Sequence, residues 1–393
     1  MDKSTGWLGA SLLLGLVGCS GDSAPPAVVQ RGVTDKEIVI GSHTDFSGPT
    51  AIWGVGTING ARMRIDAQNA KGGVHGRQIR FVVEDAQYQV PRAIQAANKL
   101  LHRDNIFAML LALGTPMNNA IMPQQFAAGV PNLFPMTGAR SVNEPLHKFK
   151  FTQRGIYYDE MRAAVKYFVE QKGSKQVCAV YQDTDYGKEI LAGTEDQLKA
   201  MDLTMAATSA HKPTETEFTA AILRLREAKC DLIMMGTVHR DTILVLEAAR
   251  KMGWDEVTWV GNNASYAQVV ADHEAGEGYY AFAAMASIYA DDPKSPAVQA
   301  WWDAYIATFK VEPDIAAMEG YRAADLMVLA MERAGRELTT GSLIAALEGI
   351  TDYTDIFGYR VKFSPSQHSG TKEAVLSQVR NKRWVKLDQG ITH

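Results

Sequence analysis

The sequence predicts an α/β protein of two lobes, each a parallel sheet with helices on its faces. Three observations predict it. From Ile38 onward, short apolar runs alternate with longer segments whose apolar residues recur at helical spacing. The alternation restarts after Phe149-Lys150-Phe151, which suggests two sheets rather than one very wide sheet. The chain has 393 residues, 46% hydrophobic and 21% charged, enough for two cores of ordinary composition.

The first series opens with the strand Ile38-Val39-Ile40. A helix over 52–69 follows, with Ile58, Ala61 and Ile65 on one face, and Lys71-Gly72-Gly73 ends it with residues suited to positive φ. Strand 79–83, helix 93–101, strand 107–111, helix 116–127 and strand 130–134 complete it. The second series reads helix 158–171, strand 177–181, helix 187–200, strand 203–208, helix 217–228, strand 231–235, helix 239–252 and strand 257–260. The tail changes character, with helices at 295–309, 317–335 and 340–348 before short strands near 359–363, 374–379 and 384–387.

The N-terminus carries an address. An apolar run from Trp7 to Val17 is too short to span a bilayer but suits a signal peptide, and Leu16-Val17-Gly18-Cys19 resembles a bacterial lipobox. That resemblance implies cleavage before Cys19 and a lipid on its sulfur. Residues 1–18 are then the signal peptide, and 19–35, rich in small residues and proline, a flexible tether. The expected location is the periplasm, on a lipid anchor. Cys178 and Cys230 lie in apolar runs and are expected as buried free thiols, with a disulfide open in an oxidising compartment. The net charge of −4 comes without any Lys/Arg run, so nucleic acid is not an expected partner. No Cys/His spacing suggests a metal, and no cofactor is expected.

Parallel sheets bind ligands beyond the carboxyl ends of their strands, so the loops at 43–54, 112–117, 135–140, 182–187, 236–240 and 261–266 are the ones to inspect. Ile40-Gly41, Asp45-Phe46-Ser47-Gly48-Pro49 and Trp53-Gly54 resemble the first binding loop of type I periplasmic binding proteins, the branched-chain amino acid, amide and aromatic-acid receptors of ABC transporters. Asn69-Ala70-Lys71-Gly72-Gly73-Val74-His75-Gly76-Arg77, Glu84-Asp85, Ala97-Asn98-Lys99-Leu100, Tyr181-Gln182-Asp183-Thr184-Asp185-Tyr186-Gly187 and Phe218 resemble further stretches of that family, in order. The resemblance implies two Rossmann-like lobes joined by three crossover hinge segments, 36–152 with 284–357 and 153–283 with 358–393. It also implies a monomer that hands its ligand to permease subunits of an ABC transporter.

The same resemblance supplies the site. Trp53 falls where an aromatic ring covers the ligand, and Thr115 where a hydroxyl receives a ligand carboxylate. Met136, Thr137 and Gly138 fall on a loop whose backbone shares that task, with Gly138 in place of a second hydroxyl. Tyr186 matches the tyrosine that closes from the second lobe. Asn263 stands where amino acid receptors place an acid for the ligand ammonium, Val238 replaces a ring or polar group, and Met318 sits near another ligand-facing stretch. An enclosed ammonium without a counter-charge is costly, so these departures favour an apolar, uncharged or purely anionic ligand. Asp45, Asp183 or Glu319 could replace the missing acid.

Two other readings share the fold: a receptor for a larger hydrophobic molecule such as an aromatic acid or lipid, and a ligand sensor. An enzyme is not expected. Gly-x-Ser-x-Gly, His-Glu-x-x-His and a phosphate-cradling Gly-x-x-x-x-Gly-Lys-Ser/Thr are all missing, and His43, His102, His147, His211, His239 and His273 are scattered.

Overall fold

The computed structural model describes residues 30–371 and 374–387. The expected signal peptide, Cys19 and most of the tether lie outside these residues.

The first series folds as β1 (Glu37–Thr44), α1 (Ala51–Ala70), β2 (Gln78–Asp85), α2 (Val90–His102), β3 (Ala108–Leu110), α3 (Thr115–Ala127), β4 (Asn132–Leu133) and β5 (Lys150–Phe151). Its strands form one parallel sheet in the order β2-β1-β3-β4-β5. Strand order reverses between β1 and β3, so the loops leaving their carboxyl ends diverge and leave a crevice.

The second series folds as α4 (Tyr157–Lys172), β6 (Val177–Gln182), α5 (Asp185–Ala200), β7 (Ala207–His211), α6 (Thr219–Glu227), β8 (Leu232–Gly236), α7 (His239–Lys251), β9 (Thr258–Gly261), α8 (Gln268–Asp272) and β10 (Tyr280–Ala283). The tail adds α9 (Pro296–Phe309), α10 (Ile315–Ala334), α11 (Thr340–Glu348), β11 (Tyr353–Thr354), β12 (Arg360–Val361), β13 (Val375–Arg380) and β14 (Arg383–Lys386). The second sheet runs β14-β13-β10-β9-β8-β6-β7, with its switch point between β6 and β8. Its first five strands in sequence, β6 to β10, are mutually parallel, and β13 and β14 are antiparallel.

One expected strand is displaced. The apolar residues at 203–208 predicted a strand there, whereas β7 starts at Ala207. It is an edge strand with mostly half-exposed side chains, so no apolar run marks it. The segment 358–371, expected with the second lobe, lies against the first sheet. Phe363 packs on Phe134 and Phe151 at ring distances of 6.1 and 5.6 Å, and Thr152 bridges to Ser369.

α10 returns to cover the first sheet by packing closely on α1. A Cβ on Gly60 would stand 1.9 Å from the Ala317 carbonyl oxygen, and one on Gly320 1.9 Å from that of Thr57. Glycine is required here because two helix backbones touch. This approach brings Glu319 and Arg322 of α10 to the first crossover. Arg322 is fully buried, donates from Nε to Gln153 Oε1 at 3.1 Å and lies 3.6 Å over the Tyr359 ring.

The expectation of free thiols is corrected: Cys178 and Cys230 form a disulfide, with Cα atoms 5.9 Å apart. Cys178 is the second residue of β6 and Cys230 precedes β8, and adjacent pairing of those strands brings the thiols together. Apolar surroundings alone could not reveal that pairing. Closing a loop of 52 residues stabilises the fold by about 4 kcal/mol in the chain-entropy account. Replacing both cysteines with serine should therefore lower Tm by on the order of 10 °C. Unchanged melting, with both thiols of the native protein open to titration, would remove the bond from this account.

Candidate functional site

The two switch points face each other, and a cavity of about 30 Å³ lies between them, room for about two waters. The loop after β1 shapes one wall. The Asp45 carboxylate accepts from Ser47 N at 3.1 Å, Thr50 N at 2.8 Å and Thr50 Oγ1 at 2.7 Å. This closed turn starts α1 so that Trp53 points into the cleft. The indole Nε1 donates to the Ala264 carbonyl of the other sheet's loop at 3.0 Å.

The loop after β3 supplies Leu113, Gly114 and Thr115. Gly114 takes a φ of 94°, and no side chain caps the N-terminus of α3 behind it. Unsatisfied N–H groups and the helix dipole at such an end favour an anion. Thr115 Oγ1 hydrogen-bonds Thr137 Oγ1 at 2.7 Å, and Thr137 Oγ1 also accepts from Ala139 N at 3.2 Å. Met136 lies beside them.

From the second sheet come Tyr186 at the start of α5, Val238 just before α7, and Ala264. Tyr186 OH lies 2.9 Å from the Thr237 carbonyl and 3.1 Å from Asn262 Oδ1. Tyr157 meets its ring edge-on at 5.2 Å. Burial raises the phenol pKa values of Tyr88, Tyr157 and Tyr186, so all three stay neutral.

Trp53, Thr115, Met136, Tyr186 and Val238 thus meet in one cavity, with Thr137 supporting Thr115. Gly138, Asn263 and Met318 do not line it. Gly138 backs onto the crossover, where a Cβ would stand 2.3 Å from the Gly155 oxygen. Met318 is core on α10. Asn263 is committed elsewhere. Its Nδ2 donates to Glu160 Oε1 at 2.7 Å and to the Gly155 carbonyl at 3.1 Å, and its backbone N–H reaches Glu160 Oε2 at 3.1 Å. Burial pushes the Glu160 carboxyl up to about 7, against the lowering effect of these bonds.

The candidate replacement acids are also engaged. Asp45 holds its turn, Asp183 is exposed beside Lys188 at 3.5 Å, and Glu319 Oε2 lies 3.1 Å from Arg154 Nε. Arg154, Tyr157 and Tyr88 line the cavity without having been marked in the sequence. Arg154 sits on the first crossover, where no motif or periodicity singles it out, and its guanidinium lies 4.5 Å from the Trp53 ring centroid. Among the described residues, no cluster of His, Cys, Asp and Glu could hold a metal ion.

Comparison with known proteins gives this cleft its context. The family model described as periplasmic binding protein matches residues 37–383. The chain belongs to the periplasmic binding protein family. Two relatives of this periplasmic binding protein come from Brucella abortus (strain 2308). Leu/Ile/Val-binding protein homolog 7 is 26% identical over 269 residues, covering 65% of this chain and 67% of the relative. Homolog 8 is 23% identical over 349 residues, covering 85% and 86%.

Solved structures share the fold. The fatty acid ABC transporter substrate-binding protein from Thermomonospora curvata superposes with a TM-score of 0.83 at 24% identity, covering 93% of this chain and 94% of that one. A branched-chain amino acid ABC transporter protein from Thermus thermophilus, with bound valine, gives 0.80 at 17%, covering 92% and 98%. A solute-binding protein from R. palustris in complex with benzoate gives 0.78 at 19%, covering 90% and 96%. Periplasmic binding proteins are extracytoplasmic and serve ABC transporters by capturing solutes; they are not enzymes.

Proposed function

We propose that this periplasmic binding protein captures a small, largely apolar ligand without an ammonium group between its two lobes. It does so as a monomer, lipid-anchored through Cys19, and the lobes hinge about the crossovers to admit and enclose the ligand. One observation carries the ligand class: among the described residues, no carboxylate lines the cavity. Trp53, Tyr88, Tyr157, Tyr186, Met136 and Val238 offer apolar surface, and the hydroxyl of Thr115 beside the α3 N-terminus offers a place for an oxyanion. The fold accommodates such ligands, since the R. palustris protein holds benzoate.

Contacts across the cleft support the hinge reading. Three contacts bridge the cleft and would open with it: the Trp53–Ala264 hydrogen bond, the Asn119–Asp185 hydrogen bond of 2.8 Å and the Arg140–Glu189 ion pair of 2.9 Å. A large hydrophobic ligand would hold the lobes further apart than a small one. Native mass spectrometry of the purified protein should reveal a retained small organic molecule without an amine. After that molecule is removed, returning it should reduce the radius of gyration in small-angle scattering. A retained amine, or tight binding with no change in shape, counts against this reading.

A further inference from the structure

Arg154 contributes the one charged side chain that lines the cavity, among the described residues. It is 3% exposed, and of its guanidinium N–H groups only one on Nη2 makes a hydrogen bond, to the Asn263 carbonyl at 3.2 Å. Nε forms a buried ion pair with Glu319 Oε2 at 3.1 Å, but off the hydrogen-bond line. Buried donors are rarely left in this state without a partner still to come. The Trp53 ring at 4.5 Å fixes the guanidinium plane from one side.

We infer that Arg154 reads the ligand's charge, its remaining N–H groups taking a carboxylate at the Arg154 wall of the cavity. This rests on the reading of the cleft as the ligand site and narrows its ligand to an organic acid. A planar guanidinium matches a carboxylate through paired hydrogen bonds, which an ammonium point charge or an amide cannot do as well. Glu319 is a positioning residue. It compensates the buried cation while the cleft is empty, and it competes with the incoming anion once ligand arrives. Arg154 also touches both lobes, through Trp53 and Glu319 on one side and Asn263 on the other. A ligand that engages it therefore joins the contacts that close the cleft.

The test is calorimetry with two acid and amide pairs, benzoate with benzamide and 4-methylpentanoate with 4-methylpentanamide. The native protein should prefer the acid of at least one pair by tenfold or more. Arg154→Gln should weaken that acid thirtyfold or more and leave the amide unchanged, and Arg154→Lys should restore part of the loss. Glu319→Gln should bind the acid several-fold more tightly, because the competing carboxylate is gone. A purely structural pair would instead weaken acid and amide alike in both variants, which would overturn the inference. If Arg154→Gln does not fold, an unchanged acid-to-amide ratio in Glu319→Gln overturns it equally. A native protein that prefers amides, or binds neither member of either pair, removes the role of Arg154 as well. The identity of the molecule retained in the cleft stays an independent check on the cleft itself.

Discussion

Cys19→Ala should move the protein from the membrane fraction to the soluble fraction. The apolar run from Trp7 to Val17 ends in Leu16-Val17-Gly18-Cys19, and a thiol is the attachment point that alanine lacks. Buried methylenes contribute about 0.8 kcal/mol each, so losing an anchor of more than one acyl chain shifts the partition by many orders of magnitude. Among the described residues, no helix is long and apolar enough to cross a membrane. The attachment also suits the geometry of capture. Gln30, the first described residue, hydrogen-bonds Thr340 at 3.1 and 3.2 Å, near the start of β1, whereas the cleft opens beyond the carboxyl end of that strand. The chain from Cys19 to Gln30 spans at most about 40 Å. Fractionation of cells expressing the variant checks this, and unchanged membrane association would sink it.

Much of the fold was legible because it rests on periodicity. Helices such as α5 and α7 and strands such as β6 and β8 stand within a residue or two of their expected places, where apolar spacing and buried runs dictate them. β7 slipped because an edge strand needs no continuous apolar face, and β10 was unmarked because Tyr280–Ala283 is short and neighbours small residues. The loops beyond strand ends were legible as a region, since strand order fixes where a parallel sheet opens. Trp53 and Tyr186 were marked through ordered motifs and Thr115 through its family-like position, and all three lie in the cavity. Arg154 was not marked, because its place depends on a crossover, on α10 approaching through Gly60 and Gly320, and on a loop of the other sheet. Such a residue is specified by three distant segments at once, which a reading along the chain does not bring together. Asn263 shows the converse. Its position along the sequence was informative, but only its bonds to Glu160 and Gly155 show that its amide serves the crossover.

Zwitterionic amino acids should bind at least 100-fold more weakly than the same molecules without their amine. An ammonium enclosed without a counter-charge loses several kcal/mol of hydration, and about 3 kcal/mol already corresponds to roughly 100-fold. Among the described residues, no carboxylate lines this cavity to offset that loss. Asp45 accepts hydrogen bonds from its own turn, Glu160 is held by Asn263, and Glu319 faces Arg154. The guanidinium at the cavity wall, paired with Glu319, offers an ammonium no counter-charge either. Deaminated acids avoid this cost and would keep the contacts of the apolar body with Trp53, Met136 and Val238. Calorimetry with leucine, valine and phenylalanine beside 4-methylpentanoate, 3-methylbutanoate and 3-phenylpropanoate measures the difference directly. Introducing Asn263→Asp should not rescue amino acid binding. The new carboxylate would meet Glu160 behind the crossover rather than the ligand, so the variant should lose stability instead. Submicromolar binding of the free amino acids by the native protein, with weaker binding of the acids, would show that a carboxylate reaches the ligand after all.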